Sequence, residues 1–136
     1  MKKFLLLWSL LLLSASAIMA QEEGDEKIRD KMREYIQQRM RLNTNEAERF
    51  TPIFLRYFRE WRTTLRENRG DGLVLRQKVI ELQIRYRTEF KEVVGERRCN
   101  EIYRHQQTFI EELKNVRRDR QQRNPPRRNG SRAITI

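Results

Sequence analysis

The sequence predicts an all-α protein: four helices, the middle two forming a long antiparallel hairpin or cradle. Three observations carry that expectation. Apolar residues recur at three- and four-residue steps in four successive blocks, the period of a helix with one face turned inward. Short breaking or starting stretches separate the blocks, namely Leu42-Asn43, Gly70-Asp71-Gly72 and Gly95. No alternation of apolar and polar residues runs long enough to read as a strand.

The first block places Ile28, Met32, Tyr35, Ile36 and Met40 on one face, with Arg29, Arg33 and Glu34 between them. Leu42-Asn43 interrupts it. Asn43-Thr44-Asn45-Glu46 then has the form of a capping box: Asn43 accepts from the free amides of the new first turn, and Glu46 reaches back. The second helix carries a stripe from Ala47 through Phe50, Phe54, Tyr57, Phe58 and Trp61 to Leu65, an apolar face over five turns. Its arginines lie mostly off that face. Pro52 falls in the third turn and is expected to bend the helix. Ile53 and Leu55 lie outside the main stripe, so the apolar surface is wider than one partner helix can cover.

Gly70-Asp71-Gly72 turns the chain tightly into the third helix. There Leu75, Val79, Leu82, Tyr86, Phe90 and Val93 form the stripe, and Leu73, Ile80 and Ile84 add a second apolar line. After Gly95 the fourth helix is marked by Cys99, Ile102, Tyr103, Gln106, Phe109, Ile110, Leu113 and Val116. From Arg120 onward the pattern stops. RQQRNPPRRNGSRAITI is polar, basic and broken by proline, the composition of a disordered tail.

The other end of the chain reads as a cleaved secretory signal peptide. Met1-Lys2-Lys3 is a short basic segment, Phe4 to Leu13 is apolar apart from Ser9, and small residues follow. Cleavage can follow Ala17 or Ala20; Ala20 is favoured because Gln21-Glu22-Glu23 then starts the mature chain. The apolar stretch is shorter than the roughly 20 residues that an uncleaved membrane span needs. The chain therefore divides into a leader at 1–20, one helical domain at 21–119 and a basic tail at 120–136.

Export changes how the charge is read. Beyond the leader the chain has 28 basic and 19 acidic residues, and 23 of the basic ones are arginine. A basic exported protein meets acidic proteins, lipid head groups or lipopolysaccharide rather than nucleic acid. Arginine suits such contacts, because its fork pairs with carboxylates and phosphates and stacks on rings. Base composition of the genome accounts for the arginine usage equally well. Cys99 is the only cysteine, so no intramolecular disulfide can form. A small, polar chain buries only a thin core, which favours a homodimer sharing a surface.

No catalytic constellation stands out. His105 is the only histidine and lies on a different helical face from Cys99. The adjacent pairs Glu22-Glu23 and Glu111-Glu112 point to different sides of a helix. Neither a Gly-rich phosphate loop nor a G-x-S-x-G elbow is present. The expectation is a non-enzymatic protein without metal or other cofactor.

The segment YIQQRMRLNTNEAERFTP, Tyr35 to Pro52, resembles a pattern of exported Bacteroidetes proteins close to F-I-T-x-K-L-x-L-T-P-E-E-A-x-x-F-W-P. These are relatives of the Spy/CpxP group of periplasmic proteins, some labelled heavy-metal sensors or extracytoplasmic sigma-factor sensors. The group's L-T-x-x-Q box starts a helix. Leu42-Asn43-Thr44-Asn45-Glu46 takes its place here, with Asn43 at the capping threonine and Glu46 at the glutamine. Glu81 to Phe90, Val93 to Arg97 and Tyr103 to Phe109 are similar to the hairpin and second box. The resemblance spans Lys27 to Lys114. It implies a cradle-shaped, often dimeric four-helix protein that acts as an ATP-independent chaperone or envelope-stress adaptor. Metal-binding members of the group use histidine-rich or Met/His sites, which this chain lacks.

The partners expected are unfolded or acidic envelope proteins, held by Arg49, Ile53, Arg56 and Arg59 off the main stripe of the second helix. The rival expectation is a regulator that docks on a membrane stress sensor. A third is contact with anionic membrane surfaces through the basic tail. The leader is checked directly: mass spectrometry of the protein from its native host should find a chain beginning at or near Gln21. An intact Met1-Lys2-Lys3 would exclude export by cleavage.

Overall fold

In the computed structural model, residues 23–124 are described; the leader at 1–20 and the tail from 125 lie outside them. Four helices form and no strand occurs among the described residues. They are α1 (23–39), α2 (Thr44–Glu67), α3 (Gly72–Val94) and α4 (Glu96–Arg123). Helix α4 thus continues past Arg120, where the apolar pattern stops. Arg, Gln and Asp tolerate a helix, and this last turn is exposed on all sides, so no periodicity marks it.

Helices α2 and α3 make the expected antiparallel hairpin. Asn68 ends α2, its backbone amide and its side-chain amide both donating to the Thr64 carbonyl. Asp71 starts α3: its carboxylate accepts from the amides of Leu73 and Val74, two of the four amides a helix start leaves free. Pairing then runs in opposite directions along the two helices. Glu60 takes Arg85 and the Tyr86 hydroxyl, Arg56 takes Glu89, and Arg49 donates to the Glu92 carbonyl.

Helix α1 lies on the other side of α2, antiparallel to it, with Asp25 paired to Arg62 and Gln37 donating to Thr51. Helix α4 closes the arrangement. It reaches α1 through Tyr35, whose ring lies tilted 5.4 Å from that of Phe109 and whose hydroxyl donates to Glu112, and α3 through Tyr103, which donates to the Gln83 carbonyl. The result is an up-down-up-down bundle. This answers why α2 is apolar beyond its main stripe: α1, α3 and α4 all pack on it. Helix α2 runs through Pro52 without a break. Pro52 and Glu48, whose carbonyl loses an amide partner, are both exposed, so water can serve that carbonyl.

Two corners at one end of the bundle set its geometry. After α1 the amides of Arg41 and Leu42 donate back to Gln38 and Gln37, and Arg41 has φ 52°. That is a Schellman ending with arginine where glycine is usual. Asn43 follows, and the capping box forms as expected: the Glu46 amide donates to Asn43 Oδ1 at 2.8 Å and the Asn43 amide to Glu46 at 3.2 Å. From α4, Arg98 donates to both Glu46 and the Met40 carbonyl, which fastens this corner to the bundle. The other corner is Gly95 alone, the last cap of α3 and the first of α4, at φ 82°, ψ 162°.

The core between the helices is aromatic. Tyr57 is fully buried and its ring lies 5.5–6.1 Å from those of Phe54, Tyr86, Phe90 and Tyr103. Each such pair adds about 0.5–1.5 kcal/mol beyond the burial of its area. The Tyr57 hydroxyl donates to Gln106, the one buried polar residue among those described, at 2.6 Å. Cys99 is buried and free. No helix of the described residues is long and apolar enough to cross a membrane.

The two corners are testable together in urea melts followed by circular dichroism. Asn43→Ala should cost about 0.5–2 kcal/mol and Asn43→Thr almost nothing. Gly95→Ala should cost about 1–3 kcal/mol, the strain of a backbone region that is essentially glycine's. Nothing lies within 4 Å of an added Cβ there, so the loss would be conformational. Unchanged midpoints in both alanine variants would show that the corners do not hold the bundle.

Candidate functional site

Near Gly95 the helices α3 and α4 pack closely, burying Phe90, Val93, Val94, Cys99 and Ile102. The Tyr103 bond to Gln83, at 2.7 Å, ties them farther along. Toward the opposite end a groove of about 720 Å³ opens between them. Its floor is Trp61 and Leu65 of α2; Val79 and Ile80 form one wall, Tyr103 and Ile110 the other. The charged side chains along it are Arg62, Arg76 and Lys114, and no carboxylate lines it.

Ile80 belongs to a second surface as well. Leu73, Ile80 and Ile84 are 74%, 54% and 63% exposed. Steps of seven and four residues put them in one line down the outer face of α3. Val74 is exposed beside them. The second apolar line read from the sequence is therefore not core. The main stripe of α3 meets its partners, and this line, roughly on the opposite side, meets none among the described residues.

The residues first assigned to partner binding sit elsewhere. Arg49 and Arg56 hold α2 to α3, and Ile53 packs against the core. Arg59 borders a depression with Asp25, Glu26, Arg29, Leu55 and Phe58, and of the three arginines it alone makes no bond to another helix among the described residues. Their placement has a simple cause. An arginine just off an apolar stripe lies where the next helix packs, and a carboxylate or carbonyl there claims it. Leu42, Asn43 and Glu46 are brought together as the helix-start motif, and they act at a corner distant from the groove. Sequence reasoning missed Arg98, Arg76 and Lys114, which have no local pattern. The signal for the exposed surface was the second apolar line itself.

Among the described residues no group of three or more His, Cys, Asp or Glu side chains is placed to hold a metal ion. Burial and then the neighbouring Arg104 lower the pKa of His105. Burial first, with smaller opposing effects from the Gln83 and Gln106 amides, raises the Tyr57 phenol to about 12. Burial, then the Glu60 carboxylate, raises Tyr86 to about 12 as well. Glu46 is lowered, first by the Asn43 amide and then, against an opposing effect of burial, by Arg98.

No protein-family model, no curated protein and no solved structure matches the chain.

The raised phenols set an alkaline limit. A phenol whose folded pKa lies above its ordinary value near 10 holds its proton more tightly in the fold. Its contribution to stability is complete below that pH and is lost as pH rises through about 12. Urea midpoints should stay level between about pH 8 and 9.5 and fall steeply above about 10.5, with Tyr57→Phe flattening the fall. A profile with no such fall would mean that the phenols remain accessible.

Proposed function

We propose that the chain is an exported, non-enzymatic helical binding protein, an ATP-independent periplasmic chaperone or envelope-stress adaptor. It holds partly unfolded envelope proteins on apolar surface and draws them in by charge. The single observation that carries the reading is the exposed line of Leu73, Ile80 and Ile84 along α3. Large apolar side chains aligned on an otherwise polar helix face suit a partner that brings its own apolar surface. The charge balance of 28 basic against 19 acidic residues beyond the leader supplies attraction to acidic clients. The Spy/CpxP resemblance of Tyr35–Pro52 points the same way, and the capping box it rests on is formed at Asn43 and Glu46.

A second reading, a regulatory partner of a membrane stress sensor or an extracytoplasmic sigma-factor pathway, is favoured by the groove. Walls built from three helices suit one defined segment better than many unfolded ones. Homodimer formation and membrane contact through the tail belong to this proposal only as additions, since the tail from 125 lies outside the described residues.

Suppression of aggregation of an acidic, chemically unfolded client tests the main reading. Leu73→Ser/Ile84→Ser should keep the helical circular dichroism, because both residues are exposed, and should lose most of the protection. Raising salt should weaken protection by the parent, as exposed charges are screened beyond about 8 Å at physiological ionic strength. Equal protection by parent and double variant would leave α3's outer line as plain surface.

A further inference from the structure

We infer that the groove between α3 and α4 is the seat of an acidic amphipathic helix presented by a partner protein. The inference rests on the reading of the chain as a binding protein and names the chemistry of one partner. Three features of the groove select it.

The first is charge. Arg62, Arg76 and Lys114 border the groove and no carboxylate does. Arg62 is tied to Asp25, while neither Arg76 nor Lys114 is in an ion pair among the described residues; Arg76 reaches only the Gly72 carbonyl. Carboxylates flanking an apolar stripe complement these two cations. The same cations disfavour the other occupants. The chain's own tail would bring Arg127, Arg128 and Arg132, and a second copy would bring its own net positive charge.

The second is backbone chemistry. An extended segment laid on Trp61, Leu65, Val79 and Ile110 would bury amides and carbonyls against apolar walls, where the uncharged polar groups are Tyr103, Gln83, Gln106 and Gln107. Buried backbone groups without partners are costly. A helix satisfies its own backbone and presents only side chains.

The third is length. The lining of α3 runs from Leu75 to Gln83, about 12 Å at 1.5 Å per residue. That spans two turns of an occupant, the reach of apolar anchors at i, i+3, i+4 and i+7. Completing the packing at this end places a further helix beside three that already pack around Tyr57.

Trp61 on the groove floor reports occupancy. In the full chain carrying Trp8→Phe it is the only tryptophan. Two synthetic helices serve as probes, both with leucines at i, i+3, i+4 and i+7, one flanked by glutamates and the other by lysines. The acidic helix should shift Trp61 emission saturably with one-to-one stoichiometry and bind about tenfold or more tightly than the basic one. Arg76→Gln/Lys114→Gln should weaken the acidic helix by about three- to tenfold and bring the two probes closer together. No shift with the acidic helix, or equal affinity for both, overturns the inference. So does binding seen only after residues 125–136 are removed, which would make the tail the occupant. A full chain that sediments as a dimer, and as a monomer with Ile80→Glu, would make a second copy the occupant and overturn it too. If the parent protects an unfolded client yet ignores both helices, only the groove's assignment falls. If the helices bind selectively and protection is absent, the chaperone reading falls alone.

Discussion

Helices α3 and α4 are joined by one residue, Gly95, whose backbone at φ 82°, ψ 162° is open to glycine and strained for any other residue. Packed helices keep their axes about 8–10 Å apart, so a one-residue joint brings the first turns on either side into immediate contact. Phe90, Val93 and Val94 on one side and Cys99 and Ile102 on the other fill that contact. The two helices are then committed to one direction each, and what happens farther along is decided by side-chain size and partners. Tyr103 still reaches the Gln83 carbonyl; beyond it Ile80 and Ile110 face a groove. The site is thus a consequence of the corner.

The other joint at this end of the bundle, between α1 and α2, is held differently. There the backbone turns through Arg41, and side chains do the fastening. Arg98 of α4 takes both the Met40 carbonyl left over by α1 and the Glu46 carboxylate that starts α2. One guanidinium joins three helices, which a lysine, with no planar fork, would do less well. Arg49, Arg56, Arg62 and Arg85 likewise cross between helices. Exposed pairs of this kind contribute little each. Their effect is on register, while stability comes from the aromatic core around Tyr57. The Tyr57–Gln106 bond adds a constraint on rotation, since turning α4 would strand a buried amide.

A bundle held in this way leaves two apolar surfaces without an internal use, and they differ in kind. The line of Leu73, Ile80 and Ile84 is open and without walls. The groove is walled, cationic at its border and about two helical turns long along α3. Ile80 belongs to both. If both surfaces are used as proposed, their shared Ile80 would make occupancy of the groove compete with holding on the line.

The sequence by itself determined the number of helices, their approximate bounds and the capping box, because these depend on interactions within a few residues. The periods of Phe50 to Trp61 and of Leu82 to Val93 are local facts, and so is the reach of Asn43 to Glu46. The sequence also showed that α3 has a second apolar line. It did not show that this line stays exposed while Ile53 is packed, because both look alike until the neighbours of each helix are known. The Schellman ending was hidden behind an arginine at the position where glycine would announce it. The last turn of α4, polar all round, left no period to read. Which arginines are staples and which border a groove was decided only by the tertiary structure. A charged side chain takes its role from whatever carboxylate, carbonyl or open space lies within reach, and the bundle brings those partners from 25 to 58 residues away.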